Sequence, residues 1–167
     1  MGPKPTVVDT EMKQIVLKVV GGEPPSNAVL SAKLSAYGCN PKKAGEEISK
    51  GTKEYTNIRL YVRLSIQARE IKKVDLLPTC SAYIIKELKE PIRQRRKVKG
   101  ATYKHTGNLS FEQVKKIAKN MQEKSLAREF KGTVKEVLGT CVAIGITVDG
   151  KSPKDVTKDV EAGKLSI

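Results

Sequence analysis

Few side chains in this chain could carry out catalysis. There is one histidine, His105, and the three cysteines, Cys39, Cys80 and Cys141, are far apart and form no Cys-x-x-Cys pair. This set cannot supply a zinc site of usual spacing. The sequence contains no Gly-x-Ser-x-Gly elbow, no Gly-rich phosphate loop and no paired-carboxylate pattern. We therefore predict a protein that is not an enzyme and uses neither a metal nor a cofactor, with His105 serving as a polar contact.

The chemistry that the composition does favour is the binding of a polyanion. The chain has 32 basic and 18 acidic residues, a formal net charge of +14. Residues 77–153 hold 16 of the basic and 7 of the acidic side chains, a net +9, whereas residues 1–76 carry +5 and residues 154–167 are neutral. Such a concentration of charge favours nucleic acid, with an acidic membrane surface as the alternative.

One segment of the basic half, residues 92–110, contains no acidic residue. Its cations repel one another in a loop, and this pattern favours phosphate binding over a merely solvated loop. The cations of this segment are Arg93, Arg95, Arg96, Lys97, Lys99 and Lys104.

A second candidate surface lies in residues 132–149, which we expect to form a helix that begins with a capping box of Thr133 and Glu136. Its apolar face would hold Val134, Val137, Leu138, Cys141 and Ile144. Its opposite face would hold Glu136, Gly139, Thr140 and Ala143, and Gly145 suits a left-handed cap. A glycine inside a helix costs roughly 1 kcal/mol relative to alanine. Gly139 therefore indicates either tight packing on another helix or close approach of a partner.

The elements that position these residues fall into two groups. In the first 76 residues we expect a β-α-α-β-β unit with strands at 14–20, 57–67 and 70–76 and helices at 27–37 and 41–50. Leu77 and Pro78 form a plausible hinge. Residues 77–153 are expected to form a domain of three helices, the second starting at a Ser110–Gln113 capping box. Residues 154–167 read as a marginally ordered polar tail, and the fold class as α+β.

Two further features bear on location and partners. No apolar run approaches the roughly 18 residues of a membrane span, and no signal-peptide pattern opens the chain. With cysteines expected to be small buried hydrophobes, the sequence predicts a cytosolic or nuclear protein in a reducing compartment. The rigid pair Pro24-Pro25 is either a turn device or an exposed contact surface.

With these segments in place, most of the chain, from about residue 12 to 156, resembles a known family. Four stretches carry the resemblance: CNPKKAGEEISK, RLYVRLSIQAREIKKVDLLPTCSAYIIKELKEP, KHTGNLSFEQVKKIAKNM and SLAREFKGTVKEVLGTCVAIGITVDGKSPKDV. They are similar to the eukaryotic and archaeal branch of the universal large-subunit ribosomal protein of the stalk base, the eleventh in the universal numbering. The resemblance implies a cytoplasmic, ribosomal location and two domains. The C-terminal domain would bind the rRNA of the GTPase-associated centre.

The resemblance also implies partners and contact residues. The partners are large-subunit rRNA, the acidic stalk protein and translation factor GTPases, with no membrane and no small-molecule substrate. The predicted RNA-binding residues are Lys86, Lys97, Lys99, Lys104, Thr106, Gly107, Asn108, Gly139, Thr140, Ala143 and Gly145. Pro24, Pro25 and Ser26 are predicted to face translation factors. The chain departs from the family at residues 35–38, where Ser-Ala-Tyr-Gly replaces the usual Gly-Pro-Leu-Gly, and at Pro24-Pro25.

Two other functions suit part of the pattern. Three helices with a basic loop also suit a DNA-binding helix-turn-helix module. A DNA-reading helix, however, offers Arg, Asn or Gln to base edges, and Gly139, Thr140 and Ala143 offer almost none. A scaffold that uses its basic surface on acidic proteins is the third possibility. Binding of folded rRNA is the function that the sequence favours.

Overall fold

The computed structural model describes residues 12–91 and 105–165. The chain divides into two compact units, Met1–Pro78 and Thr79–Ile167. The sequence placed the boundary between residues 76 and 77; in the structure Leu77 is the last residue of a strand, and Pro78 is buried. Each unit has a separate hydrophobic core, which is the physical basis of the division. The predicted α+β class is confirmed.

The N-terminal unit is a three-stranded antiparallel sheet with two helices. The strands are β1 (Lys13–Val20), β2 (Arg59–Gln67) and β3 (Glu70–Leu77), in the order β1-β2-β3. Alternation along β2 buries Leu60, Val62, Leu64 and Ile66. These side chains share one core with residues of the two helices, α1 (Asn27–Leu34) and α2 (Pro41–Gly51). The sheet therefore buries one face against the helices, as the period of two predicts.

Local signals fix the turns of this unit. Asn40 caps α2, its Oδ1 accepting a hydrogen bond from Lys42 N at 3.0 Å. The β2–β3 hairpin turns through Ala68 and Arg69, both at positive φ, as a type I′ turn requires. A turn at Gly22 follows β1. Thr52, at the end of α2, holds this turn, because its Oγ1 accepts a hydrogen bond from Gly22 N at 3.1 Å. The Gly22–Thr52 contact fixes the chain just before the Pro24-Pro25 segment.

The C-terminal unit contains four α-helices and a short parallel strand pair in its described residues. The helices are α3 (Cys80–Leu88), α4 (Phe111–Met121), α5 (Phe130–Ile144) and α6 (Pro153–Glu161). The strands are β4 (Asn108–Leu109) and β5 (Thr147–Val148). The core cluster takes residues from every one of these helices, and α5 packs against the other three. The α5 helix is therefore the central element of the unit.

The start of α5 was predicted wrongly. The helix begins at Phe130 after Glu129, which makes no side-chain cap, so Thr133 and Glu136 are not its capping box. Thr133 is instead buried inside the helix and donates from Oγ1 to Ser125 Oγ at 3.1 Å. The capping box at Ser110 is confirmed: Ser110 Oγ accepts from Gln113 N at 3.3 Å, and Gln113 Oε1 accepts from Ser110 N at 3.0 Å.

The expectation of a polar tail over 154–167 is also wrong. Residues Pro153–Glu161 form α6, and Val156 and Val160 are buried in the core of the unit. A helix with proline at its first position and apolar residues four apart packs on α5 along one narrow stripe. Lys135 Nζ on α5 also donates to Glu161 Oε1 at 2.8 Å. The C-terminal unit thus extends past residue 153 and has a fourth helix.

Candidate nucleic-acid interface

The helix α5 has one buried and one exposed face, as its sequence predicted. Val134, Val137, Leu138 and Cys141 are buried, while Gly139, Val142 and Ala143 are exposed. A Cβ added at Gly139 would meet no heavy atom of the described residues within 4 Å, apart from the helix's own backbone. The packing explanation for Gly139 is therefore wrong for the described part of the chain. The glycine faces open space.

A second glycine of the same helix shows the contrast. A Cβ at Gly132 would lie 2.7 Å from Ala127 Cβ, closer than real Cβ atoms approach. Gly132 is thus needed for packing inside the unit. Gly139 has no such role, and its replacement by alanine would remove the conformational cost of a mid-helix glycine. Among the described residues of the unit, no contact requires glycine at position 139.

Thr140 lies beside Gly139 and is partly exposed. Its Oγ1 donates to the backbone oxygen of Glu136 at 3.1 Å, which leaves the surface smooth. Cys80, the first residue of α3, borders the same surface. Burial raises the pKa of the Cys80 thiol, and a hydrogen bond with the Thr140 side chain acts in the opposite direction. Sequence patterns gave no reason to place Cys80 beside Thr140, because the contact joins two helices.

Gly145 joins this face to the end of the basic segment. It caps α5 in the left-handed conformation at φ +89°, and its N–H donates to Cys141 O at 3.0 Å. A Cβ at this position would lie 3.8 Å from the backbone oxygen of His105. Thr147 N donates to Gly107 O at 3.1 Å just beyond. The structure therefore brings Gly107 and Gly145, two of the predicted RNA-binding residues, to one place.

Asn108 lies at the same place, but its side-chain oxygen serves the fold. Oδ1 accepts hydrogen bonds from Thr147 Oγ1 and Gly150 N, both at 3.0 Å. The nearby Asp149 carboxylate accepts from Phe111 N at 3.3 Å, at the start of α4. These bonds fix β4 against β5. Asn108 therefore holds in place the chain that follows His105. Thr106, two residues earlier, is exposed.

Glu90, just before the acid-free segment, contacts His105 near the other end of that segment. Glu90 Oε2 lies 2.7 Å from His105 Nδ1, and the Leu88 side chain occupies the space where Gly107 lacks a Cβ. Sequence reasoning missed the Glu90–His105 contact. The available signal was that Glu90 is the last acidic residue before the acid-free segment and His105 the only histidine.

The remaining predicted residues are distributed as follows. Lys86 is half-buried in the last turn of α3, two residues before Leu88. Lys97, Lys99 and Lys104 lie outside the described residues. In the N-terminal unit, Pro24 and Ser26 are exposed and Pro25 is half-buried. Ser26 precedes α1 without a side-chain cap, so its hydroxyl is not used to start the helix.

The cysteines behave as small hydrophobes. Cys39 and Cys141 are buried and Cys80 is half-buried, and all three are free thiols. Burial raises the pKa of Cys141 to about 12. Among residues 12–91 and 105–165, no group of three or more His, Cys, Asp or Glu could hold a metal ion. None of the helices in the same two stretches has the length and apolar character needed to cross a membrane.

Comparison with known proteins adds independent findings. Residues 76–148 match the family model described as "Ribosomal protein L11, RNA binding domain". The chain is 45% identical over 157 residues to large ribosomal subunit protein uL11A of Schizosaccharomyces pombe, covering 94% of this chain and 93% of the relative. It is 44% identical over 164 residues to uL11x of Arabidopsis thaliana, covering 98% and 97%. It is 40% identical over 158 residues to uL11 of Caenorhabditis elegans, covering 95% and 94%. These similarities span both units.

Proposed function

The chain belongs to the ribosomal protein L11 family, and on that premise we propose that it binds folded rRNA of the GTPase-associated centre at the stalk base. The family is a structural component of the large ribosomal subunit and is not an enzyme, so the predicted ribosomal role is confirmed at that level. The cytoplasmic ribosome is accordingly its place of action. The stalk base, the contact residues and the recruitment of factors belong to the proposal.

The exposed face of α5 is the observation that carries the proposal. Gly139 and Ala143 leave the helix backbone open to close approach, and the Thr140 hydroxyl is turned toward Glu136 O. Folded RNA offers a wide, shallow minor groove and compact backbone turns. A smooth helix face fits such a surface, where bulky side chains would clash. In this proposal Gly139, Thr140, Ala143 and Gly145 lie against the RNA backbone.

The charge of the C-terminal unit supplies the long-range attraction. Residues 77–153 carry a net +9, and His105, within the acid-free segment, lies close to Gly145. Each phosphate neutralised by a lysine or arginine releases condensed counterions, which makes binding steeply dependent on salt. We expect Lys86, Lys97, Lys99 and Lys104 to provide this term, with Thr106, Gly107 and Asn108 at the exit of the segment. In this proposal, RNA binding combines close contact at the exposed face of α5 with neutralisation of phosphates by the basic side chains.

Competition binding separates RNA from DNA as the partner. Labelled rRNA fragment from the GTPase-associated centre is bound to the wild-type chain and displaced by unlabelled fragment or by duplex DNA of equal charge. The proposal predicts that the RNA fragment competes at least about tenfold better, a difference of ~1.4 kcal/mol. Equal competition by the duplex would contradict it and favour a DNA-binding module. Strong binding of isolated acidic stalk protein without any RNA binding would favour a protein scaffold.

The N-terminal unit is proposed to face translation factor GTPases and the acidic stalk protein. Pro24, Pro25 and Ser26 form a donor-poor segment after the Gly22 turn, with Pro24 and Ser26 exposed. Proline fixes the backbone before binding, so little conformational entropy is lost when a partner docks. The exposure of this segment supports the proposal.

A further inference from the structure

The outer face of the N-terminal sheet, the face turned away from α1 and α2, carries an exposed aromatic ring between two arginines. Alternate residues of β2 are buried against the helices, so Arg59, Tyr61 and Arg63 lie on the outer face. Tyr61 is 38% exposed and is the one exposed aromatic residue in the described part of the chain. Neighbouring residues on one face of a strand are about 7 Å apart. Each arginine therefore lies one such step from the ring.

The cations around this ring lie close to one another. Lys18 on β1 is opposite Tyr61 in the sheet register, which makes Arg59 and Arg63 its diagonal neighbours. Among the described residues, neither arginine side chain has a hydrogen-bond or ion-pair partner. Like charges on adjacent strands repel one another. An anion bound over this face would relieve the repulsion that the described residues leave in place.

The acidic side chains of the sheet do not neutralise these cations. The three strands hold six basic and two acidic residues, and both acidic residues lie on β3. Asp75 Oδ1 is 2.8 Å from Lys73 Nζ, and Glu70 Oε2 is 3.2 Å from Lys72 Nζ. Each acidic side chain thus has a lysine partner of its own. The charge left around Tyr61 is positive.

We propose that the outer face of the N-terminal sheet binds unpaired RNA, with a nucleobase stacked on Tyr61 and phosphates at Arg59 and Arg63. This site lies in a different unit from the exposed face of α5 and goes beyond the proposed function. Every nucleobase has a flat π-face that stacks on an aromatic side chain, and arginine neutralises the adjoining phosphates. An acidic peptide would use the cations but would leave the stacking face of the ring unused.

Lys18 would change its contact when RNA binds. Its Nζ lies 5.7 Å from the centroid of the Tyr61 ring. Stacking of a base on an aromatic ring is stronger than a cation–π contact at an exposed site. The base would therefore displace the ammonium group from the ring, and Lys18 would become a third cation for the phosphates.

Photochemical cross-linking locates the RNA on the full chain. The probe is a uridine decamer with 5-iodouridine at its centre, a base that cross-links to the aromatic side chain on which it stacks. Mass spectrometry of the digested product should place a cross-link at Tyr61. A decamer that cross-links only elsewhere, or not at all, would overturn the proposal. Because the cross-link is mapped to a residue, RNA bound to the C-terminal unit does not obscure the result.

Titration of the cross-link yield at position 61 measures affinity at this site alone. Arg63→Gln should weaken binding about fivefold at about 0.1 M salt and reduce the slope of log affinity against log salt by about 0.7, as expected for one lost phosphate contact to a single strand. Lys33→Gln, which removes an exposed cation of α1, is the matched control and should change neither quantity appreciably. Tyr61→Phe keeps the ring and should bind nearly as wild type does. Circular dichroism shows whether each variant is folded.

The remaining outcomes separate this site from its alternatives. An oligoglutamate of equal charge should compete at least about tenfold less well than unlabelled uridine decamer, because it lacks bases to stack. Equal competition would contradict the proposal and favour an acidic protein as the partner. Equal titrations for folded Arg63→Gln and Lys33→Gln would contradict it as well. Gly139→Leu, which tests the proposed function through the rRNA fragment, should leave the cross-link at Tyr61 in place.

Discussion

At the residue scale, the polar atoms of the proposed interface serve the fold. Asn108 Oδ1 and the Asp149 carboxylate are used to join β4, β5 and the start of α4. The Thr140 hydroxyl is turned to the helix backbone. Apart from the exposed Glu136 carboxylate, this face of α5 therefore presents shape more than hydrogen-bonding groups. Such a surface suits RNA backbone better than base edges.

Cys141 supplies a prediction about pH at this scale. Burial raises its pKa to about 12, from 9.0 for an exposed thiol. Above pH 9 the unfolded chain loses this proton while the folded chain keeps it, so folding stability falls as pH rises through this window. Between pH 9 and 10 the thiol should cost about 1 kcal/mol of unfolding free energy.

Urea denaturation at pH 8, 9 and 10 measures this effect. Cys141→Ala lacks the thiol and should lose less stability over the same interval, even though its stability at pH 8 is lower because a buried side chain is truncated. Cys39 lies in the other unit and is present in both proteins, so its titration cancels in the comparison, while the difference for Cys141→Ala includes the Coulomb interaction of Cys141 with Cys80. Parallel pH profiles for wild type and variant would show that the Cys141 thiol is not the source of the alkaline loss.

At the element scale, the sequence predicts those elements whose signals are local. The Ser110 capping box, the Asn40 cap and the alternation of β2 each lie within a few residues, and all three are present in the structure. The start of α5 was not predictable in this way. Thr133 matches a capping pattern with Glu136, yet its hydroxyl has a better partner in Ser125, eight residues earlier. Tertiary contact overrode the local pattern.

The limits of local sequence signals also explain why α6 was predicted as a tail and why the Glu90–His105 contact was missed. Apart from Pro153 at its start, α6 buries only Val156 and Val160, so its apolar stripe is too short to stand out from a polar composition. The Glu90–His105 pair spans 15 residues, a separation that no local pattern reveals. Residue type and spacing indicated the smooth face of α5 and the acid-free segment. They could not show that Gly145 lies beside His105 or that Thr147 bonds to Gly107.

The role of α6 leads to a prediction for this element. Val160 is buried against α5, so Val160→Ala should lower the unfolding free energy of the C-terminal unit by roughly 2 kcal/mol through lost burial and an unfilled cavity. Lys154→Ala, on the exposed side of the same helix, should change stability by less than about 0.5 kcal/mol. Thermal unfolding of both variants makes the measurement. Equal stability would contradict a structural role for α6.

At the scale of the whole molecule, net charge is distributed unevenly over the two units, whereas similarity to known proteins is not. The similarity to large-subunit proteins spans both, whereas the net charge is +9 for residues 77–153 and +5 for residues 1–76. The acid-free segment and the smooth face of α5 both lie in the more basic unit. One unit is therefore suited to a polyanion, while the other offers a proline segment in which Pro24 and Ser26 are exposed. This division supports the proposal that the C-terminal unit binds RNA.

The most direct test of the account compares stability with RNA affinity in one variant, Gly139→Ala. Because a Cβ at position 139 meets nothing in the described unit, alanine should raise the unfolding free energy by about 0.5–1 kcal/mol. Because RNA is proposed to approach this backbone closely, the same change should weaken binding of the rRNA fragment, and Gly139→Leu should abolish it while the unit stays folded. Gly132→Ala, the packing glycine of the same helix, should lower stability. A more stable Gly139→Ala protein with weakened RNA binding is the predicted result; a more stable protein with unchanged affinity, and a Gly139→Leu protein that still binds, would contradict the account.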